Sequence, residues 1–277
     1  MRFKILLNFI LSFIILAPET TSAAAVQSTK LLSIRTPPGL ASCKKGALTE
    51  NILRHPVGES IRYYLDINGL SVGKVDFKIE AKGDYEGHSV IEYRSLFKLD
   101  SLLDVMMPMS GQAASLVPMQ GSSPSMAMNR YSLGDNQYDE RIEIDAAGKS
   151  VHSKRTKNTK IRETNRVFDF PVQDFLSAFY AFRIQAKKAK SGCTHIYANQ
   201  RTYTVWFYEA GEEEIKTPVG HRKSDKYRIE FGSERSKKMR QGHVWISQDG
   251  NFLPYKAEIL GERHIEARVH LYHFPRL

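Results

Sequence analysis

Read for its apolar and polar positions, most of this 277-residue chain alternates with a period of two. Ile61, Tyr63 and Leu65 alternate up to an Asn68-Gly69 turn, and Val75, Phe77 and Ile79 then alternate with Asp76 and Lys78. A second turn at Gly83 to Gly87 leads into Ile91, Tyr93 and Phe97. Half-buried strands carry this pattern, because successive side chains leave opposite faces of a sheet. Ile142 and Ile144 continue the meander, with Ala147-Gly148 turning into Val151. Further strands are predicted at Tyr203 to Tyr208, Lys226 to Phe231, Val244 to Ser247, Ala257 to Ile259 and Ala267 to Leu271. Ten or so strands make an antiparallel sheet that must curl to bury one face.

One stretch breaks the period. From Val172 onward Phe175, Leu176, Phe179 and Phe182 recur at helical spacing, while Gln173, Ser177 and Arg183 fall elsewhere on the wheel. Asp174 suits the N-cap, since its carboxylate can accept the free N–H groups of the first turn, and Pro171 keeps the chain extended before it. Lys187, Lys188 and Lys190 favour the negative end of the helix dipole. The spacing predicts a helix over about 174–186. The expected fold is mainly β: one strongly curved antiparallel sheet, an open barrel or β-spiral, wrapped around a central α-helix.

The flanks set the organisation. Arg2 and Lys4, an apolar run from Ile5 to Ala17, and small residues around Ala23 have the form of a signal peptide over 1–24, followed by an extended leader over 25–54. The apolar run is short of the roughly 20 residues a spanning helix needs, so no transmembrane segment is expected after cleavage. Residues 55–277 then form a single β domain in a periplasmic protein. Leu40-Ala41-Ser42-Cys43 has the look of a lipobox, but it lies far beyond the apolar run, and lipidation is not expected. Composition with 42% hydrophobic residues supports a packed core. A net charge of +10 in an exported chain points to anionic lipid headgroups or acidic polymers rather than nucleic acid. The basic runs at His152 to Arg166 and Arg235 to Arg240 suit solvated loops or strand edges.

The run Val172 to Arg183, VQDFLSAFYAFR, resembles the motif of a bacterial exported family catalogued as domain of unknown function 3108, in which V-x-D-x-L-S-A and two aromatics end in Arg. Lys216 to Gly220, Val244 to Ser247 with Asp249, and Leu253-Pro254 extend the likeness. So do Gly58-Glu59, Arg62-Tyr63, Gly69 and Gly73 to Val75 upstream. Phe175 stands where the family pattern has proline, and Met106 to Met128 matches poorly. The resemblance implies a wrapped, barrel-like or spiral sheet akin to lipoprotein-carrier folds, and no activity.

Candidate chemistry is sparse. The chain has no G-x-S-x-G elbow, phosphate loop or dinucleotide fingerprint, and neither a cofactor nor an enzyme activity is expected. Cys193 and His195 could in principle form a nucleophilic pair. A disulfide between Cys43 and Cys193 beside a surface histidine is favoured in an oxidising compartment, with a free or intermolecular Cys43 as the alternative. His270 and His273 fall on opposite faces of a strand and make no metal site. Glu212 to Glu214 suits a hairpin tip, and Trp206 and Trp245 suit core or rim. Met106, Met107, Met109, Met119, Met126 and Met128 lie among Pro108, Pro118 and Pro124. The plain expectation there is a loop packed over the core; a movable lip over an apolar groove comes second and a copper site a distant third. An apolar or amphipathic ligand, a lipid or lipoprotein acyl chain, would then lie against Val75, Phe77, Ile91, Tyr93, Met106, Met107, Met109 and Phe179. The alternative is an envelope scaffold that holds a partner protein while its own side chains fill the sheet.

Overall fold

The computed structural model describes residues 43, 56–100, 108–119, 123–233 and 239–275. The signal-peptide reading, the leader apart from Cys43, and Met106 and Met107 lie outside the described residues. Eight strands come first: β1 (Ser60–Ile67), β2 (Leu70–Tyr85), β3 (His88–Leu99), β4 (Met109–Pro118), β5 (Met126–Leu133), β6 (Asn136–Ile144), β7 (Ser150–Lys157) and β8 (Lys160–Val167). Helix α1 (Phe175–Lys188) follows. Six more strands complete the domain: β9 (Ser191–Ala198), β10 (Arg201–Thr217), β11 (Gly220–Ser233), β12 (Arg240–Ser247), β13 (Pro254–Leu260) and β14 (Ile265–His273). All fourteen belong to one sheet in the order β8-β7-β6-β5-β4-β3-β2-β1-β14-β13-β12-β11-β10-β9. Every ladder is antiparallel, and β1 to β14 is the one junction between strands distant in sequence.

The fold is therefore mainly β, a curled and unclosed sheet with a single helix among the described residues, as the alternation implied. Fourteen strands stand where about ten were expected. The difference lies in β4, β5, β8 and β9, whose buried positions include small or polar residues such as Ser115, Ala127, Thr164 and Thr194. Strand β4, MSGQAASLVP, carries Gly111, Ala113, Ala114 and Ser115, and at Gly111 the space is tight: a Cβ there would lie 3.2 Å from that of Tyr131. This corrects both expectations for the methionine-rich stretch from Met109 onward. Met109 and Met126 begin regular strands and are buried, while Pro118 ends β4 and Pro124 lies between strands. Prolines at strand ends interrupt no ladder hydrogen bond.

Strands β8 and β9 are the two edges of the sheet, and they approach without forming a ladder. Tyr197 Oη meets Thr164 Oγ1 at 3.1 Å, and Gln200 Nε2 donates to the Arg162 carbonyl at 3.0 Å. The Glu140 carboxylate in β6 accepts the backbone N–H groups of Asn199 and Gln200, both at 2.8 Å, and the Ser153 hydroxyl at 3.0 Å. Those two residues turn with positive φ, so their N–H groups point away from any strand partner and need this acceptor. Between the edges runs the connection to the helix. Val172 N–H donates to Gly148 C=O, and Gln173 forms a parallel bridge with Ile196. Gly148, at φ +71°, has no room for a side chain: a Cβ would lie 2.2 Å from Ser123 Oγ.

Candidate ligand cavity

The helix fits the capping chemistry read from its sequence. Asp174 Oδ1 accepts from the N–H groups of Leu176 (2.8 Å) and Ser177 (3.3 Å), and its Oδ2 takes the Ser115 hydroxyl at 2.6 Å. Which face it buries differs from the wheel-based expectation. Leu176, Tyr180 and Ile184 are buried, with Tyr180 stacked on Tyr93 at 4.3 Å, while Phe175, Phe179 and Phe182 are only partly buried. Arg183, expected off the apolar stripe, is fully enclosed. Its guanidinium pairs with Glu59 Oε1 at 2.5 Å and Oε2 at 3.2 Å, and donates to the carbonyls of Phe252 (2.9 Å) and Asn251 (3.0 Å). A buried ion pair persists when the remaining donors are satisfied, and four contacts do that here. The pair fastens α1 to the approach to β1 and to the β12–β13 turn.

The phenylalanine face of the helix looks into a cavity of about 290 Å³. Phe175, Phe179 and Phe182 form its floor, with Phe77 stacked on Phe179 at 4.5 Å. The walls come from β1 to β3 (Tyr63, Leu65, Val75, Phe97), from β9 to β12 (Ile196, Val205, Phe207, Ile229, Phe231, Val244) and from β13 and β14 (Ala257, Ile259, Ile265, Ala267). Gly242 also lines it, where a Cβ would collide with the Glu258 carbonyl at 2.1 Å. The few polar groups in the lining are committed elsewhere. Tyr63 Oη donates to Pro254 C=O at 2.9 Å, and Thr194 Oγ1 bonds Gln173 Oε1 at 3.3 Å. The Glu258 carboxylate meets His243 Nδ1 (2.9 Å), Lys256 Nζ (3.2 Å) and His264 Nε2 (3.2 Å). The surface that the lining presents is almost wholly hydrocarbon.

Of the residues singled out from the sequence, Val75, Phe77 and Phe179 line this cavity. Ile91 and Tyr93 belong instead to the core that packs around the buried face of α1. They precede Phe97 in β3, toward the end that the helix fills. Met109 is buried in a neighbouring cluster with Leu65, Phe97 and Tyr131. The residues missed, such as Phe231, Val244 and Ala267, had the correct alternation in the sequence. Nothing in their spacing told a cavity wall from a filled core.

The remaining candidates resolve as follows. Cys43 and Cys193 form a disulfide, so the Cys43 sulfur is not free to carry a lipid thioether. His195 is buried rather than on the surface, with Phe170 against its ring. Nε2 lies 2.9 Å from the Cys43 carbonyl, which only accepts, so Nε2 carries the proton and Nδ1 accepts from Thr204 Oγ1 at 3.0 Å. Burial pushes its pKa below the ordinary histidine value, with the bond to Cys43 C=O and the Asp169 charge opposing. Glu212 to Glu214 lie inside β10 just after a bulge, not at the hairpin tip. The bulge at Gly211, φ +98°, bends the strand there without ending it. Trp206 and Trp245 are both buried.

Glu258, His264 and Glu266 bring three ligand-type atoms within 4.8 Å of one another. Lys256 Nζ bridges the two carboxylates, 3.2 Å from Glu258 and 2.8 Å from Glu266, and Arg268 pairs with Glu266. Burial works to raise the Glu258 carboxyl pKa, but its hydrogen bonds from His243, His264 and Lys256 hold it below the usual range. A cation already fills the role of a metal.

The family motifs occupy defined places in this frame: Asp174 caps the helix, Ser177 donates to Asp174 C=O, and Arg183 is the buried cation. A family model described as protein of unknown function, DUF3108, matches residues 60–260. The chain belongs to this family. Among solved structures, a beta-barrel-like protein of the domain of unknown function DUF1849 from Brucella abortus aligns with a TM-score of 0.54 at 10% identity. The alignment covers 80% of this chain and all of that one, and it shows a shared barrel-like fold. A protein from Bacteroides fragilis with a YmcC-like fold aligns with a TM-score of 0.36 at 10% identity, over 79% of this chain and 97% of its own. The lipoprotein LppX of Mycobacterium tuberculosis reaches a TM-score of 0.26 at 16% identity, over 79% and 89% of the two chains. No curated protein matches the chain.

Proposed function

We propose that this DUF3108 protein is a non-catalytic envelope protein that holds the apolar chain of an amphipathic molecule, a lipid or lipoprotein acyl chain, between α1 and the curled sheet. The carrying observation is the cavity of about 290 Å³ whose polar lining groups are all bonded elsewhere. Such a space offers a guest no hydrogen bond and no charge, so its binding must come from the removal of hydrocarbon from water. A methylene needs roughly the ~30 Å³ that one water occupies in the liquid, so on the order of ten methylenes fill it. At about 0.8 kcal/mol per buried CH₂, the upper bound is roughly 8 kcal/mol, a Kd near 1 μM before ordering costs. The disulfide and the signal-like first residues support an exported location. The competing scaffold reading draws on the β5 to β8 side, where Phe168, Phe170, Ile142 and Tyr197 fill the interior themselves.

Calorimetric titration of dodecanoate into the disulfide-bonded protein tests the proposal. Saturable binding that Val244→Trp abolishes, with an unchanged melting temperature, is the expected result. An absence of saturable binding, or binding indifferent to Val244→Trp, leaves the scaffold as the better reading.

A further inference from the structure

We infer that the rim of the curled sheet at the end away from the helix is a docking surface for an anionic lipid bilayer. The inference goes beyond the ligand reading and stands on other residues. The helix occupies one end of the sheet: its N-cap bonds Ser115, its last turn meets Asp225 through Lys187, and Arg183 reaches the β12–β13 turn. The lining residues Leu65, Phe97, Phe231, Ile259 and Ile265 sit near the opposite ends of their strands. Antiparallel register then decides which hairpin tips share that end. The β1–β2 tip joins the β13–β14 tip through Asn68 N–H to His264 C=O at 2.8 Å. The β7–β8 tip joins the start of β6 through Asn158 N–H to Gln137 C=O at 2.8 Å.

Each of these three tips holds a large aliphatic side chain in water. Leu70 is 73% exposed, Ile161 61% and Leu260 40%. A single exposed leucine is ordinary, whereas three on hairpin tips at one end of the same sheet give that end an apolar character. The charge beside them selects the partner. Lys157 to Arg162 contains Lys157, Lys160 and Arg162 and no carboxylate, and Ile161 stands between two of those cations. Anionic headgroups neutralise such a tip while the aliphatic side chain enters the acyl boundary. On the β13–β14 tip an exposed Glu262 adjoins Arg263, so the preference for negative charge comes from the β7–β8 tip. A bilayer seated on this rim lies at the end of the sheet toward which the lining residues Leu65, Phe97, Phe231, Ile259 and Ile265 are placed.

The test is co-sedimentation of the disulfide-bonded protein with vesicles of phosphatidylglycerol and phosphatidylcholine in equal parts, against pure phosphatidylcholine. The wild type should sediment with the anionic vesicles. The combined variant Leu70→Ser, Ile161→Ser, Leu260→Ser should bind them roughly tenfold more weakly. Lys160→Gln with Arg162→Gln should remove the preference for phosphatidylglycerol. Val219→Ser with Leu271→Ser, which changes exposed apolar residues away from this rim, should bind like the wild type. No sedimentation of the wild type, or equal loss in the Val219 and Leu271 control, overturns the inference, as does capture by a protein partner alone. Dodecanoate titration of the triple variant separates the two readings. Retained dodecanoate binding with lost vesicle binding confines the effect to the rim, whereas vesicle binding without any dodecanoate binding overturns the cavity reading alone.

Discussion

At the scale of single residues, four enclosed polar groups decide how this protein responds to change. Arg183 has the sharpest consequence. Arg183→Met takes the guanidinium away from the buried Glu59 carboxylate, a loss of about 3–5 kcal/mol that denaturant titration should register. His195 sets a pH response. Its folded-state pKa is lowered, so the unfolded chain binds the proton more readily; stability is full above the unfolded value of about 6.5 and is lost as pH falls through it toward the folded value. The melting temperature should therefore drop on mild acidification, and His195→Gln should flatten that drop. Glu140 and Asp174 shift the other way, raised mainly by burial against the hydrogen bonds they accept, so they do not produce this acid loss. Among the helix residues, Leu176→Ala should cost about 2–5 kcal/mol. Phe179→Ala should cost less and enlarge the cavity, because Phe179 is only partly buried. Equal losses would place Phe179 in a filled core.

At the scale of elements, stability rests on how two sheet edges are held together without a ladder. A free edge pairs with whatever strand it meets, and here the β8 and β9 edges are covered by side-chain bonds and by the 168–174 connection. The disulfide secures the same region, joining Cys43 to β9 across a sequence separation of 150. The chain-entropy model assigns roughly 5 kcal/mol to a loop of that length. Reduction should lower the melting temperature and raise hydrogen exchange first in β9 and the 168–174 connection. Unchanged exchange there would mean that side-chain closure suffices alone. Some elements were legible in the sequence and some were not, for a physical reason. Strands with bulky alternation, such as β1 and β2, and the capped helix announce themselves through a period and a cap. Strand β4 does not, because Gly111, Ala113 and Ser115 stand where alternation would place Val or Ile, and at Gly111 the neighbouring Tyr131 leaves little room for a side chain.

At the scale of the whole molecule, sequence alone determined the class of fold, the helix with its Asp174 cap, the cysteine pair and the family motifs. Each of these is local or compositional: a two-residue period, a capping carboxylate, two thiols in one chain, a run of residues in order. Only the tertiary structure decided what the helix faces. The same stripe of phenylalanines could have plugged a core or floored a cavity, since hydrophobic spacing reports burial from water and not what does the burying. Arg183 illustrates the converse. Its charge argued for solvent, and its enclosure followed from Glu59, 124 residues away, and two turn carbonyls that no local pattern links to it. The cavity has the same origin, because its walls come from β1 to β3 and from β9 to β14 at once, and a volume enclosed by distant strands is a property of curvature and register. Sequence specified which side chains must leave water; the curl of fourteen strands decided which of them would meet one another and which would line a space left open.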